Sequence, residues 1–169
     1  MKRLASAIIA LCAVLCVSAQ DSLRFGWLSY ETALKSMPQY AIVQQQMSNL
    51  RAQYQAETKR VEDEFNRKYE EFLEGQREFP KTILQKRQTE LQELMEKNIA
   101  FKEESRQQLA KAEAEAMAPL KARLNEVIAE IASRQQLALV INTDANACPF
   151  IDPEMGTDIS TLVNSLLQK

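Results

Sequence analysis

The sequence contains no histidine. That excludes a Ser-His-Asp triad, an imidazole general base and any zinc site that uses histidine. Glycine is nearly as scarce. Gly26, Gly75 and Gly156 are the only three in 169 residues. They are too scattered for a phosphate cradle, so a P-loop or dinucleotide-binding turn is excluded. Five prolines and a single tryptophan complete the short supply. Glu, Gln, Lys, Ala, Leu and Arg abound instead, which is the composition of long helices. The length fits one domain, or two at most. These absences argue against an enzyme or a bound cofactor, and for a scaffold, adaptor or chaperone.

Cysteine is also rare, and two of the three sit at the N-terminus. Lys2 and Arg3 precede an apolar stretch from Leu4 to Val17 broken only by Ser6. Val17 and Ala19 then place small residues at the −3 and −1 positions of a cleavage site. Residues 1–19 therefore read as a cleaved bacterial-type secretory signal. The run of about 14 residues is shorter than the roughly 20 a membrane span needs. Cys12 and Cys16 each follow leucine, where a lipid-attachment site takes a small residue. Cleavage leaves Cys148 alone, so the exported chain has no internal disulfide. The neighbours of Cys148 are not electropositive, and a buried small hydrophobe is expected there. Removing Lys2 and Arg3 from 21 basic residues leaves 19 against 23 acidic ones, a net of −4. A mildly acidic exported protein has no electrostatic reason to bind nucleic acid.

Between residues 39 and 118 there is one glycine, Gly75, and one proline, Pro80. Val43, Met47, Leu50, Tyr54, Val61, Phe65, Tyr69 and Phe72 recur at spacings of three, four and their sums, an amphipathic coiled-coil pattern. A second series includes Leu84, Leu91, Leu94, Met95, Leu109, Ala112 and Ala116, and continues through Leu120, Leu124, Val127 and Ile131. Two helices folded back on each other pair residues with a constant index sum, because both rise equally per residue. Val43 with Ala116, Met47 with Ala112 and Leu50 with Leu109 each sum to 159. The mirror point falls near Pro80, which suits a helix start. Pro38 and Pro119 lie almost opposite each other and mark the base of an arm roughly 60 Å long. Tyr54, Phe72, Phe79, Ile83, Ile99 and Phe101 exceed what a two-helix seam requires. They are candidates to bind a partner.

The flanks differ. Residues 23–28 alternate like a strand, and Ser29 can cap a short helix from Tyr30 to about Ser36. Residues 137–141 are apolar and β-prone, and 142–146 are turn-like. Residues 148–151 are expected to form another short strand. Thr157 or Asp158 is expected to cap a last helix carrying Ile159, Leu162, Val163, Leu166 and Leu167. Asp144, Asn146, Asp152 and Glu154 open like a calcium loop. However, Cys148, Pro149 and Met155 stand where an oxygen ligand, the turn glycine and the bidentate Glu belong. The segment reads as turn chemistry, and no metal is expected. The fold class expected is mainly α with a small β body: a helical hairpin inserted into a small α+β domain. So small a body buries little alone, and association with copies of itself is expected.

Phe25-Gly26-Trp27-Leu28 with Glu31, followed by Met37-Pro38-Gln39-Tyr40, resembles the opening of the Skp/OmpH family of periplasmic chaperones. Residues 139–146 and 158–163 are similar to that family's closing strands and helix. The resemblance covers essentially the whole mature chain. It implies a jellyfish-shaped homotrimer that holds unfolded outer-membrane proteins between its arms without ATP. It implies a β-barrel trimerisation body of residues 20–37 plus 120–169, to which Phe25, Trp27, Leu139 and Ile141 are assigned. The arm is then 38–119, with its tip near 80. Well-known members are strongly basic, whereas residues 41–118 here carry 13 basic and 15 acidic side chains. That argues against carrying over membrane or lipopolysaccharide binding. The tip is the exception: Arg77, Lys81, Lys86 and Arg87 stand against Glu78 alone in residues 75–87. The competing reading is an envelope coiled-coil adaptor or spacer that grips a folded partner through this tip.

Overall fold

A computed structural model describes residues 23–168; the expected export signal at residues 1–19 lies outside them. The chain begins with β1 (Phe25–Leu28) and a short helix α1 (Tyr30–Lys35). It then runs out along α2 (Pro38–Gly75) and returns along α3 (Lys81–Gln135). Strand β2 (Leu139–Asn142), a 3-10 turn (Asp144–Asn146), β3 (Gly156–Asp158) and α4 (Ser160–Leu167) follow. The mainly α fold with a small β body is as expected.

The hairpin follows from its punctuation. Pro38 occupies the first turn of α2, where a missing N–H costs nothing, and Pro80 immediately precedes α3. Helix α3 runs unbroken through Pro119. The expected mirror holds: Asn98 Nδ2 donates to the Val61 carbonyl at 3.1 Å, a pair whose indices also sum to 159.

Strand order is β2-β1-β3, with both neighbours parallel to β1. The strand expected at 23–28 begins two residues later, at Phe25, and ends at Leu28 as expected, and the one expected at 137–141 is shifted to Leu139–Asn142. The strand expected at 148–151 is absent. Pro149 has no N–H for a ladder, and the segment instead crosses between β2 and β3. The third strand is Gly-Thr-Asp at 156–158. Gly156 is required there because a Cβ would sit 2.6 Å from the Phe25 ring and 2.8 Å from the Trp27 ring. Cys148 is half-buried rather than buried, and its Sγ lies 3.3 Å from the Phe150 carbonyl.

The core lies where the arm meets the body. Leu120, Leu124, Val127 and Ile131 present one stripe of α3, and Ile159, just ahead of α4, covers it with Val163 and Leu167 on that helix. Leu28, Ala33, Leu34 and Met37 close it, with Val43 and Met47 from the root of α2. Gly26 and Leu28 face this core from β1, so Phe25 and Trp27 point to the opposite face of the sheet.

Two local features carry tests. Gln136 ends α3 in the left-handed conformation, φ 54° and ψ 41°. A side chain there costs energy that glycine avoids. Gln136→Gly is expected to raise stability by about 0.5–1 kcal/mol in urea denaturation. Asp144 reaches across to the start of α1. Its Oδ1 accepts from the Ser29 hydroxyl at 2.6 Å, and its Oδ2 accepts from the Glu31 N–H at 2.8 Å. Asn142 Oδ1 accepts from the Tyr30 N–H at 3.2 Å, so the turn after β2 caps the first helix. The Ser29 and Glu31 bonds hold the Asp144 carboxyl below its usual range. A depressed carboxyl stabilises the fold above its unfolded pKa and loses that contribution as pH falls through the folded value. Asp144→Ala is therefore expected to melt below the parent at neutral pH, with the gap closing under acid. A gap independent of pH would assign the effect to something other than the carboxylate.

Candidate functional site

Two surfaces stand out. Among the described residues there is no group of three or more Cys, Asp or Glu able to hold a metal ion. No described helix is long and apolar enough to cross a membrane.

The first surface is the sheet face turned away from the core. Parallel register sets Phe25 beside Leu139 and Trp27 beside Ile141, so the four side chains project together. The Phe25 and Trp27 rings lie 6.2 Å apart at 46°, an aromatic contact that Gly156 leaves room for. Leu139 is 42% exposed, and Phe25, Trp27 and Ile141 are half-buried. Beyond the sheet, Phe150 and Met155 are exposed. An apolar sheet face of this kind, flanked by edge strands, is incomplete as a solvent surface.

The second surface is the arm. Its root is packed: Val43, Met47 and Met117 are buried. From Leu50 outward the seam side chains are only half-buried, apart from Ser105. Ser105 is 5% exposed because its small side chain tucks back to donate to the Phe101 carbonyl at 2.6 Å. Three polar links cross the seam here: Asn98 to Val61, Arg51 to Glu113 at 3.3 Å, and Lys102 to Glu62.

The sequence-derived candidates divide between two sides of the arm. Tyr54 and Phe101 meet across it at 6.3 Å and, with Leu50, Gln53 and Glu57, line an open hollow of about 310 Å³. Ile99 is on the other side, 61% exposed, where Phe65, Asn66, Met95 and Lys102 share a hollow of about 330 Å³. Tyr69 stacks on Phe65 at 6.0 Å and is itself exposed, as are Leu73 and Met95. Sequence periodicity assigned Tyr69 and Met95 to the seam; their position one step off it emerges only from the packing.

At the tip, Phe79 folds back onto Gly75, where any Cβ would collide with its ring. Phe72 and Phe79 are half-buried there beside Lys68, Glu71 and Arg87, while Ile83 is exposed. Lys86 and Arg87 both reach Glu90, at 3.7 and 3.3 Å. Among the described residues, Arg77 and Lys81 make no ion pair, so part of the tip charge is unspent.

Comparison with known proteins agrees with this architecture. Residues 24–167 match the family described as outer membrane protein (OmpH-like). No curated protein matches the chain. A crystal structure from Caulobacter crescentus, assigned as an outer membrane chaperone (OmpH-like), superposes with a TM-score of 0.68 at 15% identity. The match covers 86% of this chain and 83% of that one, a likeness of fold. With nearly the whole body and arm inside one family match, the chain belongs to the OmpH-like outer membrane protein family.

Proposed function

We propose that this protein is an ATP-independent holdase chaperone of the periplasm that keeps unfolded outer-membrane proteins from aggregating. The observation that carries the reading is the arm: a long hairpin whose apolar side chains are left partly open to water from Leu50 to the tip. A structural strut gains nothing from exposed Ile99, Met95 and Ile83. A client in transit exposes apolar surface, and covering it is worth about 25 cal/mol per Å². Many small contacts summed over several arms hold a client without fixing its shape.

Residues 1–19 serve as the export signal in this reading. The body, residues 20–37 plus 120–169, forms a homotrimer through the open sheet face of Phe25, Trp27, Leu139 and Ile141. The arms, residues 38–119, enclose a cavity. Tyr54, Phe72, Phe79, Ile83, Ile99 and Phe101 make client contacts. Arg77, Lys81, Lys86 and Arg87 attract carboxylates of the client at the tip, a field screened beyond about 8 Å at physiological salt. Holding makes and breaks no covalent bond, so no catalytic residue or cofactor is involved.

The experiment is a pair of binding measurements. The protein is expected to bind a urea-unfolded outer-membrane β-barrel protein on dilution, and to ignore the same protein folded in detergent. Binding only to folded envelope proteins would replace the holdase by an adaptor that acts through its tip.

A further inference from the structure

The two sides of the distal arm differ in charge. On one side, α2 presents Arg60, Glu64, Arg67, Glu71 and Glu74, and α3 presents Lys86, Glu90, Glu93, Lys97 and Glu104. Each set advances in steps of three and four, or their sum, and so forms one stripe per helix. The stripes are laced by short-range pairs: Arg60 with Glu64 at 3.4 Å, Arg67 with Glu71 at 2.6 Å and Lys86 with Glu90 at 3.7 Å. Glu71 of the α2 stripe lines one small hollow with Arg87, which pairs with Glu90 of the α3 stripe at 3.3 Å, so both charged stripes lie on the same side.

On the opposite side one stripe of each helix is uncharged, although Glu62, Asp63 and Lys102 line the hollow at its root and Gln92 donates to Glu96 at 3.0 Å. The stripe on α2 reads Asn66, Tyr69, Leu73, Gln76, again in steps of four and three. On α3 it reads Gln85, Gln88, Gln92, Met95, Ile99. The Phe65–Asn66–Met95–Ile99 hollow joins the two, and the Lys102–Glu62 pair closes the root end. Tyr69 and Leu73 are each 44% exposed, and Met95 is 47% exposed. Asn66, Gln85 and Gln88 have no side-chain hydrogen-bond partner among the described residues, so their amides remain open to a ligand.

We infer that this uncharged flank is the client-holding side of the arm, and that its occupant is an extended, low-charge segment of unfolded polypeptide. The inference rests on the holdase reading above and assigns a side to it. Solvated coiled-coil flanks ordinarily carry charge, as the other side does. Stripes of uncharged side chains leave few ions to desolvate when an apolar segment covers them. Its amides both donate and accept, which matches the peptide groups of any sequence. The α3 stripe from Gln85 to Ile99 spans about 21 Å, the length of roughly six extended residues. An alternating segment of a future β-strand presents apolar side chains at that scale and free backbone groups between them.

The test compares two double variants, each adding two negative charges at exposed positions. Met95→Glu with Ile99→Glu alters the uncharged flank; Ala100→Glu with Gln108→Glu alters the charged one. Release of a urea-unfolded outer-membrane β-barrel protein is followed by fluorescence. The first variant is expected to release it about tenfold faster than the parent, and the second within about twofold. If the parent retains the client and both variants release it alike, the flank assignment is wrong while the holdase reading stands. If the parent retains nothing, the holdase reading itself fails. If the first variant changes the mass of the client-free protein, the flank is covered by another copy of the chain, and the inference is overturned.

Discussion

Leu124→Ala is expected to lower stability by about 3–5 kcal/mol, near the upper range for a buried leucine. Leu124 is fully buried on α3, in the core cluster that also holds Val127, Ile131, Ile159 and Val163. Elements from both ends of the sequence meet there, so a cavity at this point has few ways to collapse. Leu94→Ala, at a half-buried place in the arm, is expected to cost about 1–2 kcal/mol by the same reasoning. Urea denaturation at one fixed protein concentration measures both, since association contributes to apparent stability. Equal losses would mean that the arm is packed as firmly as the root.

The second large effect belongs to the open sheet face. Trp27→Glu is expected to weaken self-association at least about 100-fold, because a carboxylate would be covered without a partner. Trp27 is half-buried and directed away from the core of its own chain, so the chain itself is expected to keep its helical content. Leu139→Glu, at a 42% exposed position on the same face, provides an independent variant. Sedimentation before and after substitution reads the result. An unchanged assembly with Glu at either position would place the subunit contact elsewhere.

The hairpin was legible in the sequence because it obeys simple arithmetic. Two antiparallel helices rise alike, so their contacts share an index sum, and Val61–Asn98 satisfies it. The proline positions were legible for an equally local reason. Strand β3 was not. Gly-Thr-Asp carries no β signature, and its pairing depends on Gly156 leaving space for the Phe25 and Trp27 rings. Apolar residues at 148–151 suggested a strand that Pro149 and the crossover do not permit. The arm candidates were legible as a surplus of apolar side chains. Their partition was not, because Phe101 and Ile99 are close in sequence but lie on opposite sides of the arm. Tyr69 and Met95 fit the seam period and still emerge from it exposed.

Light scattering of an outer-membrane β-barrel protein diluted from urea tests the central claim most directly. With no nucleotide present, an equimolar amount of the assembled protein is expected to suppress the scattering that the client develops alone. Scattering that rises equally with and without the protein would contradict it.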